Sequence, residues 1–355
     1  MVNIEQLIRP HIKDLVPYSS ARDDYSGTQG VFLDANENSF GSVVNRFYRR
    51  YPDPYQIHIK QLLSSIKNIP DKNIFLGNGS DEAIDLAIRL FCNPGKDSII
   101  ITTPTYGMYE VSAKINEIDV ISIPLTTEFQ LKTDDILAVF DRNPKMLFLC
   151  IPNNPSGNSF NKNSVLKLIN AFPGIIVIDE AYSDFSDDAG YLNQLKSHKN
   201  LIILQTFSKA WGMAGLRLGI AYAHEDVIRY LNKIKQPYNI NQATQKLAVK
   251  ALSNKSRKDE FVKKIKSERT ALGNMLKELS VVEKVFPTEA NFFLVRFTDS
   301  GRVFRHLIKD LVIVRDRSKL ELCGNSLRIT VGTPFENKKL IASIKDFEKK
   351  KPTNE

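Results

Sequence analysis

Four short apolar runs of the sequence lead directly into residues that could do chemistry. After Ile74-Phe75-Leu76 comes Gly77-Asn78-Gly79-Ser80-Asp81-Glu82 and then a helical pattern, a start that would turn backbone N–H groups and the positive dipole end toward an anion. The plainer reading of that start is a cap, with Ser80 closing the helix and Asp81 and Glu82 serving its dipole. Phe148-Leu149-Cys150-Ile151 ends in Pro152-Asn153-Asn154-Pro155-Ser156-Gly157, and Ile175-Ile176-Val177-Ile178 ends in Asp179-Glu180-Ala181-Tyr182. A carboxylate at the end of a buried strand is costly unless something cationic meets it, and a lone one would read as a structural salt bridge. Leu201-Ile202-Ile203-Leu204 leads through Ser208-Lys209-Ala210 into a Gly- and Ala-rich stretch, with Arg217 eight positions after the lysine.

Together these ends supply an asparagine (Asn154), an aspartate (Asp179), a tyrosine (Tyr182), a lysine (Lys209) and an arginine (Arg217), beside an anion-ready helix start. Pyridoxal phosphate asks for such a set. It needs a lysine amine for covalent attachment, a carboxylate that keeps the ring nitrogen protonated, donors to the phenolic oxygen and a cradle for the phosphate.

The elements that must position these residues are legible in outline. Apolar, β-branched runs at 73–76, 98–102, 146–151, 175–178, 201–204 and 218–222 alternate with helical stretches, among them one with Ala83, Ile84, Ala87, Ile88 and Phe91 on one face. This predicts an α/β fold with a mainly parallel sheet covered by helices on both faces, whose working residues sit at the strands' carboxyl ends. Beyond residue 240 a long amphipathic helix carries Phe261, Ile265, Leu272, Leu276 and Leu279; strand-like 291–297, a helix near 303–311, and strand-like 312–314 and 327–331 follow. The expected division is an N-terminal segment (1–30) packing on the small domain, a large cofactor-binding domain (31–240) and a smaller α+β domain (241–355).

At 355 residues, 42% hydrophobic and 25% charged, the chain has ordinary globular composition, which excludes collagen-like, disordered and coiled-coil classes. Its formal charge of +9 is local: residues 246–277 hold ten basic and three acidic side chains, and 338–355 six and three. The surplus reads as a solvated helix face and a tail, and a nucleic-acid partner would explain it but none of the strand-end residues. Cys92, Cys150 and Cys323 form no Cys-x-x-Cys pair, which points to a reducing cytoplasm. No signal peptide and no membrane-spanning apolar run is expected. His11, His58, His198, His224 and His306 show no metal-ligand spacing, so no metal is expected.

Asn154-Pro155-Ser156-Gly157, Asp179-Glu180-Ala181-Tyr182, Ser208-Lys209-Ala210 and Gly215-Leu216-Arg217-Leu218-Gly219, in this order, resemble the motif series of the class I/II aminotransferases, fold type I pyridoxal-phosphate enzymes. Pro17-Tyr18, Asp34-Ala35-Asn36-Glu37, Arg50-Tyr51-Pro52, Pro104-Thr105-Tyr106-Gly107-Met108-Tyr109, Arg315-Asp316 and Leu327-Arg328-Ile329-Thr330-Val331-Gly332 are similar to the histidinol-phosphate aminotransferase branch, from about Tyr18 to Thr333.

The resemblance implies roles. Lys209 would hold the cofactor as a Schiff base and shuttle the proton; Asp179 would pair with the ring nitrogen; Asn154 and Tyr182 would reach the ring oxygen; Tyr106 would lie on the ring face. The phosphate would rest on Gly79, Ser80 and Asp81 with Ser208 and Arg217, and Tyr51 would reach it from the neighbouring subunit of a homodimer. Arg328 would take the carboxylate of glutamate or 2-oxoglutarate, and with Arg315 and Tyr18 the phosphate of histidinol phosphate, in a pocket that also includes Asn36. On their own residues, Arg315 beside Asp316 reads as a surface pair and Tyr51 as a packing aromatic. An aromatic amino-acid aminotransferase and a threonine-phosphate decarboxylase are the alternatives on this fold, and they would differ around Tyr18, Asn36 and Arg315.

Overall fold

The apolar runs fold into a single seven-stranded sheet in the computed structural model, which describes residues 3–20, 24, 25, 27 and 29–350. The strands are β1 (Ile74–Asn78), β2 (Ser98–Thr103), β3 (Asp119–Pro124), β4 (Met146–Cys150), β5 (Ile175–Asp179), β6 (Leu201–Thr206) and β7 (Leu218–Ala223), in the order β1-β7-β6-β5-β4-β2-β3. β2 to β6 run parallel, while β7 is antiparallel to both its neighbours. β3 is a strand the sequence pattern did not indicate. It is an edge strand with Asp119 and Ser122 partly or fully exposed, so it lacks the unbroken apolar run of its buried neighbours.

Alternate residues of the central strands face different cores. Leu147 and Leu149 of β4 pack with the helices Ile57–Lys67 and Lys162–Ala171. Met146, Phe148 and Cys150 pack with Gly79–Phe91, Met108–Ile115 and Glu225–Ile234. That two-sided burial is why the strands carry apolar residues at successive positions, and it leaves only their ends free for polar work.

A second, four-stranded antiparallel sheet has the order β10-β11-β9-β8, with β8 (Val282–Val285), β9 (Phe292–Phe297), β10 (Arg315–Asp316) and β11 (Ser326–Thr330). Helices Lys255–Lys277, Ser300–Lys309 and Pro334–Lys349 bury one face, around Leu276, Val295, Phe297, Leu307, Ile329 and Ile344. The strand expected at 312–314 is outside the ladder; pairing begins at Arg315, and Ile313 is 73% exposed.

Two further expectations are corrected. The described part of the N-terminal segment packs on the large sheet's outer helices rather than on the small unit. Ile4, Ile8 and Ile12 join the core of helices 79–91 and 225–234, Arg9 N donates to Leu90 O at 3.1 Å, and the Glu5 carboxylate accepts from Arg229 and Tyr230, each at 2.7 Å. The basic helix Lys255–Lys277 is not simply solvated. Lys258, its side chain 11% exposed, bridges Asp184 (2.8 Å) and Asp259 (2.9 Å), Lys266 pairs with Asp187, and Arg269 donates to the Phe185 and Ala290 carbonyls. Helix Gln242–Leu252 sends Ala248 and Leu252 into the large sheet's core. Among the described residues, no helix is long and apolar enough to cross a membrane.

Candidate active site

The carboxyl ends of β4, β5 and β6 and the start of helix Gly79–Phe91 open into one cavity. Its wall contains all ten cofactor-side residues predicted for a single chain, from Gly79 to Arg217, together with Cys150, Ala181 and Thr206.

One end of the cavity is a backbone cradle. Gly79 has φ +73°, and a Cβ there would stand 2.6 Å from Arg217 Nη2; a Cβ on Gly219 of β7 would stand 2.1 Å from Ser80 N. Only glycine allows the helix start and β7 to approach this closely. Arg217, itself left-handed at φ 52°, turns back over the helix start: Nη2 meets Asp81 Oδ2 at 3.2 Å and Nη1 donates to Ser208 Oγ at 3.4 Å. The reading of Ser80 as a cap is not what the structure shows. No side chain caps the helix at Asn78; instead the Glu82 carboxylate accepts from Asn78 N at 2.5 Å. A helix N-terminus, a hydroxyl and a guanidinium around a space that a Cβ would fill suit a phosphate group.

The other end is built on buried donors and acceptors. Asp179, 3% exposed, accepts from Tyr109 Oη at 2.8 Å and from Ala181 N at 3.0 Å. Burial raises its carboxyl pKa, and those two donors pull the other way. Tyr109 is fully buried and stacked on Phe148 at 4.9 Å; sequence reading quoted it inside a motif but gave it no role. Next to Asp179, Glu180 fixes the strand end, accepting from Tyr191 N (2.6 Å) and Gln205 Nε2 (2.9 Å). Tyr106 Oη donates to Asp81 Oδ1 at 3.0 Å. The Lys209 amine lies 5.4 Å from the centre of the Tyr182 ring, and desolvation, then Arg328, lower its pKa below the usual lysine value.

These groups fit pyridoxal phosphate: a lowered-pKa amine, a buried carboxylate, a phenol and an amide near a ring-sized space, and an anion cradle at the far end.

The predicted substrate residues divide. Arg328 borders the cavity, Nη1 donating to Asn154 Oδ1 at 2.5 Å, and Arg315 stands directly opposite it on β10. Tyr18 and Asn36 are not in this cavity of the chain. Tyr18 is 74% exposed on a separate cleft with Tyr55 and Lys235, and Asn36 is exposed beside Tyr51 on another. Both lie on an exposed stretch preceding helix Ile57–Lys67, away from the sheet that shapes the site. Tyr51 stacks on Tyr238 at 4.6 Å, outside the cavity. Elsewhere, His306 has Asp310 and Asp346 within 4.8 Å, a grouping its sequence spacing did not reveal; its Nε2 already faces Ser343 O at 3.1 Å.

The family model for aminotransferase class I and II matches residues 35–344. A histidinol-phosphate aminotransferase of Cytophaga hutchinsonii is 52% identical over 345 residues, covering 97% of this chain and 99% of that one. Among solved structures, the histidinol-phosphate aminotransferase of Clostridium acetobutylicum superposes with a TM-score of 0.79 at 26% identity, covering 85% of this chain and 91% of that one. The histidinol-phosphate aminotransferase of Sinorhizobium meliloti in complex with pyridoxal-5'-phosphate has the same fold, with a TM-score of 0.75 at 21% identity over 96% of this chain and 98% of that one. A match of this extent, on a sheet whose strand ends converge on such a cavity, makes the chain a member of the class I and II aminotransferases.

Proposed function

We propose that this chain transfers an amino group between histidinol phosphate and 2-oxoglutarate, giving imidazole acetol phosphate and glutamate, by a ping-pong mechanism in histidine biosynthesis. The observation that carries the reading is the Arg328–Asn154 hydrogen bond of 2.5 Å, which sets an anion-binding guanidinium at the rim of the cofactor cavity. Curated relatives at 45% to 52% identity, each matched almost end to end and bearing the histidinol-phosphate aminotransferase name, support the substrate.

Pyridoxal phosphate, when bound, supplies an aldehyde that takes the amino group from one substrate for delivery to the next, and a ring that accepts electrons. Ser208, Arg217 and the N–H groups of Ser80 and Asp81 hold its phosphate, while Gly79, whose own N–H donates to Arg217 O at 2.8 Å, leaves the room for it. Asp179 keeps the ring nitrogen protonated, held by Tyr109 and Ala181. Tyr182 and Asn154 bind the ring oxygen, and Tyr106 covers the ring. Lys209 anchors the cofactor and then moves the proton at the substrate carbon; its lowered pKa leaves more of it as free amine at neutral pH. Arg328 takes the carboxylate of glutamate, and with Arg315 the phosphate of the other substrate; Tyr18 and Asn36, which lie outside the single chain's cavity, would have to reach that pocket from the second copy of a homodimer.

The working unit in this reading is a homodimer that brings Tyr51 to the partner's cofactor phosphate. Between residues 15 and 57 the single chain exposes Val16, Val31, Leu33, Phe40, Val43 and Val44, a concentration of apolar surface that a second copy would cover. The division into 31–240 and 241–355 is part of the proposal, with helix Gln242–Leu252 at the boundary. Three buried free cysteines support a reducing, cytoplasmic setting.

The test is a half-reaction screen, following the cofactor's visible band as histidinol phosphate, phosphothreonine, phenylalanine and glutamate are added separately. Histidinol phosphate and glutamate are expected to convert it. A response to phenylalanine alone, or carbon dioxide release from phosphothreonine, would overturn the reading.

A further inference from the structure

The short strand β10 does more than place Arg315. Its ladder sets Arg315 against Arg328, and beyond it Arg317 N donates to Ser326 O at 3.0 Å, which fixes Arg317 beside the position two residues before Arg328. Side chains two apart on a strand share a face, so Arg315, Arg317 and Arg328 lie together, while Asp316 turns to the other side and accepts from Ser318 N at 2.8 Å. Like charges directly opposite on a ladder destabilise it, and a partly buried guanidinium without an anion is costly.

The fold nevertheless keeps Arg317 unpaired. Its Nε is buried with no hydrogen-bond partner, and its side chain makes no ion pair or hydrogen bond among the described residues. Desolvation and then the repulsion of Arg328 and Arg315 lower its pKa, while Cys323 and then Tyr182 of the cavity wall act in the opposite direction. The charged neighbours it feels most are therefore the two arginines assigned to substrate.

We propose that Arg317 is the third guanidinium of the substrate-anion subsite and selects a doubly charged phosphate over a carboxylate. The proposal rests on the reading of the chain as an enzyme of phosphorylated substrates. A carboxylate has two oxygens, which one planar fork satisfies; a phosphate monoester has three terminal oxygens and close to two charges, and it uses donors a carboxylate leaves idle. The charge of Arg317 is then offset only when the phosphorylated substrate is bound, through its terminal nitrogens, since Nε itself is buried.

The experiment uses holoenzyme and two variants, Arg317→Gln and Arg317→Lys, each checked for the cofactor band as evidence of folding. Single-turnover half-reactions are followed with histidinol phosphate and with glutamate, and inorganic phosphate is titrated as an inhibitor of the glutamate half-reaction. In Arg317→Gln, losing one charge-assisted contact should cut the second-order rate constant for histidinol phosphate about ten- to a hundredfold and weaken phosphate inhibition as much, with glutamate changed less than about threefold. Arg317→Lys, which keeps the charge without the fork, should fall between Gln and wild type on phosphate and match wild type on glutamate. Equal losses on both substrates, or unchanged phosphate inhibition in either folded variant, would overturn the proposal. If wild type fails to turn over histidinol phosphate while phosphate inhibition still weakens selectively in the variants, the subsite stands and the substrate reading falls.

Discussion

The cofactor cavity and the arginine face of the small sheet handle charge in opposite ways. In the cavity, polar groups lean on one another: Arg217 on Asp81 and Ser208, Tyr106 on Asp81, Tyr109 on Asp179. On the small sheet, Arg315 and Arg317 have no side-chain hydrogen bond or ion pair among the described residues, and Arg328 has the Asn154 amide oxygen and the Phe292 ring. A self-paired site keeps its shape with or without a ligand, which suits a group held through every turnover. An unpaired cationic face is relieved only while an anion is on it, which suits a substrate that comes and goes.

Breaking the cavity should cost most. In Lys209→Ala, turnover is expected to drop by about four orders of magnitude, since both the covalent anchor and the proton carrier are lost; the visible band of the bound cofactor should shift to that of an unattached aldehyde. Retained turnover would refute the assignment of Lys209. Breaking the arginine face should be milder and selective. Arg315→Ala should lower kcat/KM for histidinol phosphate about a hundredfold and for glutamate by less than about threefold, read as separate steady-state constants. Equal losses would show that Arg315 serves the carboxylate as well.

The smallest effect tests the internal pairing itself. Tyr109→Phe removes a donor to the Asp179 carboxylate, which burial already makes harder to ionise. The half-reaction should slow about tenfold. Because that donor stabilises the ionised form, its loss raises the Asp179 pKa further, so the acidic limb of the pH–rate profile should move to higher pH. In the cofactor-free protein the same sign applies to stability: a carboxyl whose folded pKa is raised favours the fold below the ordinary carboxylate range, and that contribution is lost as pH rises through the raised value. The pH–stability slope across that window should therefore extend further upward in the variant.

Much of the cavity is legible in the sequence because strands buried on both faces read as unbroken apolar runs, and their ends mark the site. Asp179 and Lys209 need only that local reading. Strand direction is not local: the apolar run of β7 reads the same whether it is parallel or, as here, antiparallel to both neighbours. The Tyr109–Asp179 bond joins residues 70 apart, and the grouping of Arg317 with Arg328 depends on the register of a two-residue strand. The β-branched run at 312–314 misleads because β-propensity describes fit to a pleated, half-buried surface, and here no neighbouring strand offers one. The basic helix misleads in another way, since composition cannot show that Lys258 and Lys266 have acidic partners on residues 184–187.

The antiparallel turn from β6 into β7 has a mechanical consequence. Lys209 and Arg217 both belong to the excursion between these strands, whose two ends are locked together where Thr206 pairs with Gly219. In the proposed reading the covalent anchor and the phosphate clamp would thus be the two jaws of one caliper, closed at its base by the large sheet. Their span is set within a single hairpin, whereas Asn154 and Tyr182 on the other side of the seat touch the smaller sheet through Arg328 and Phe292.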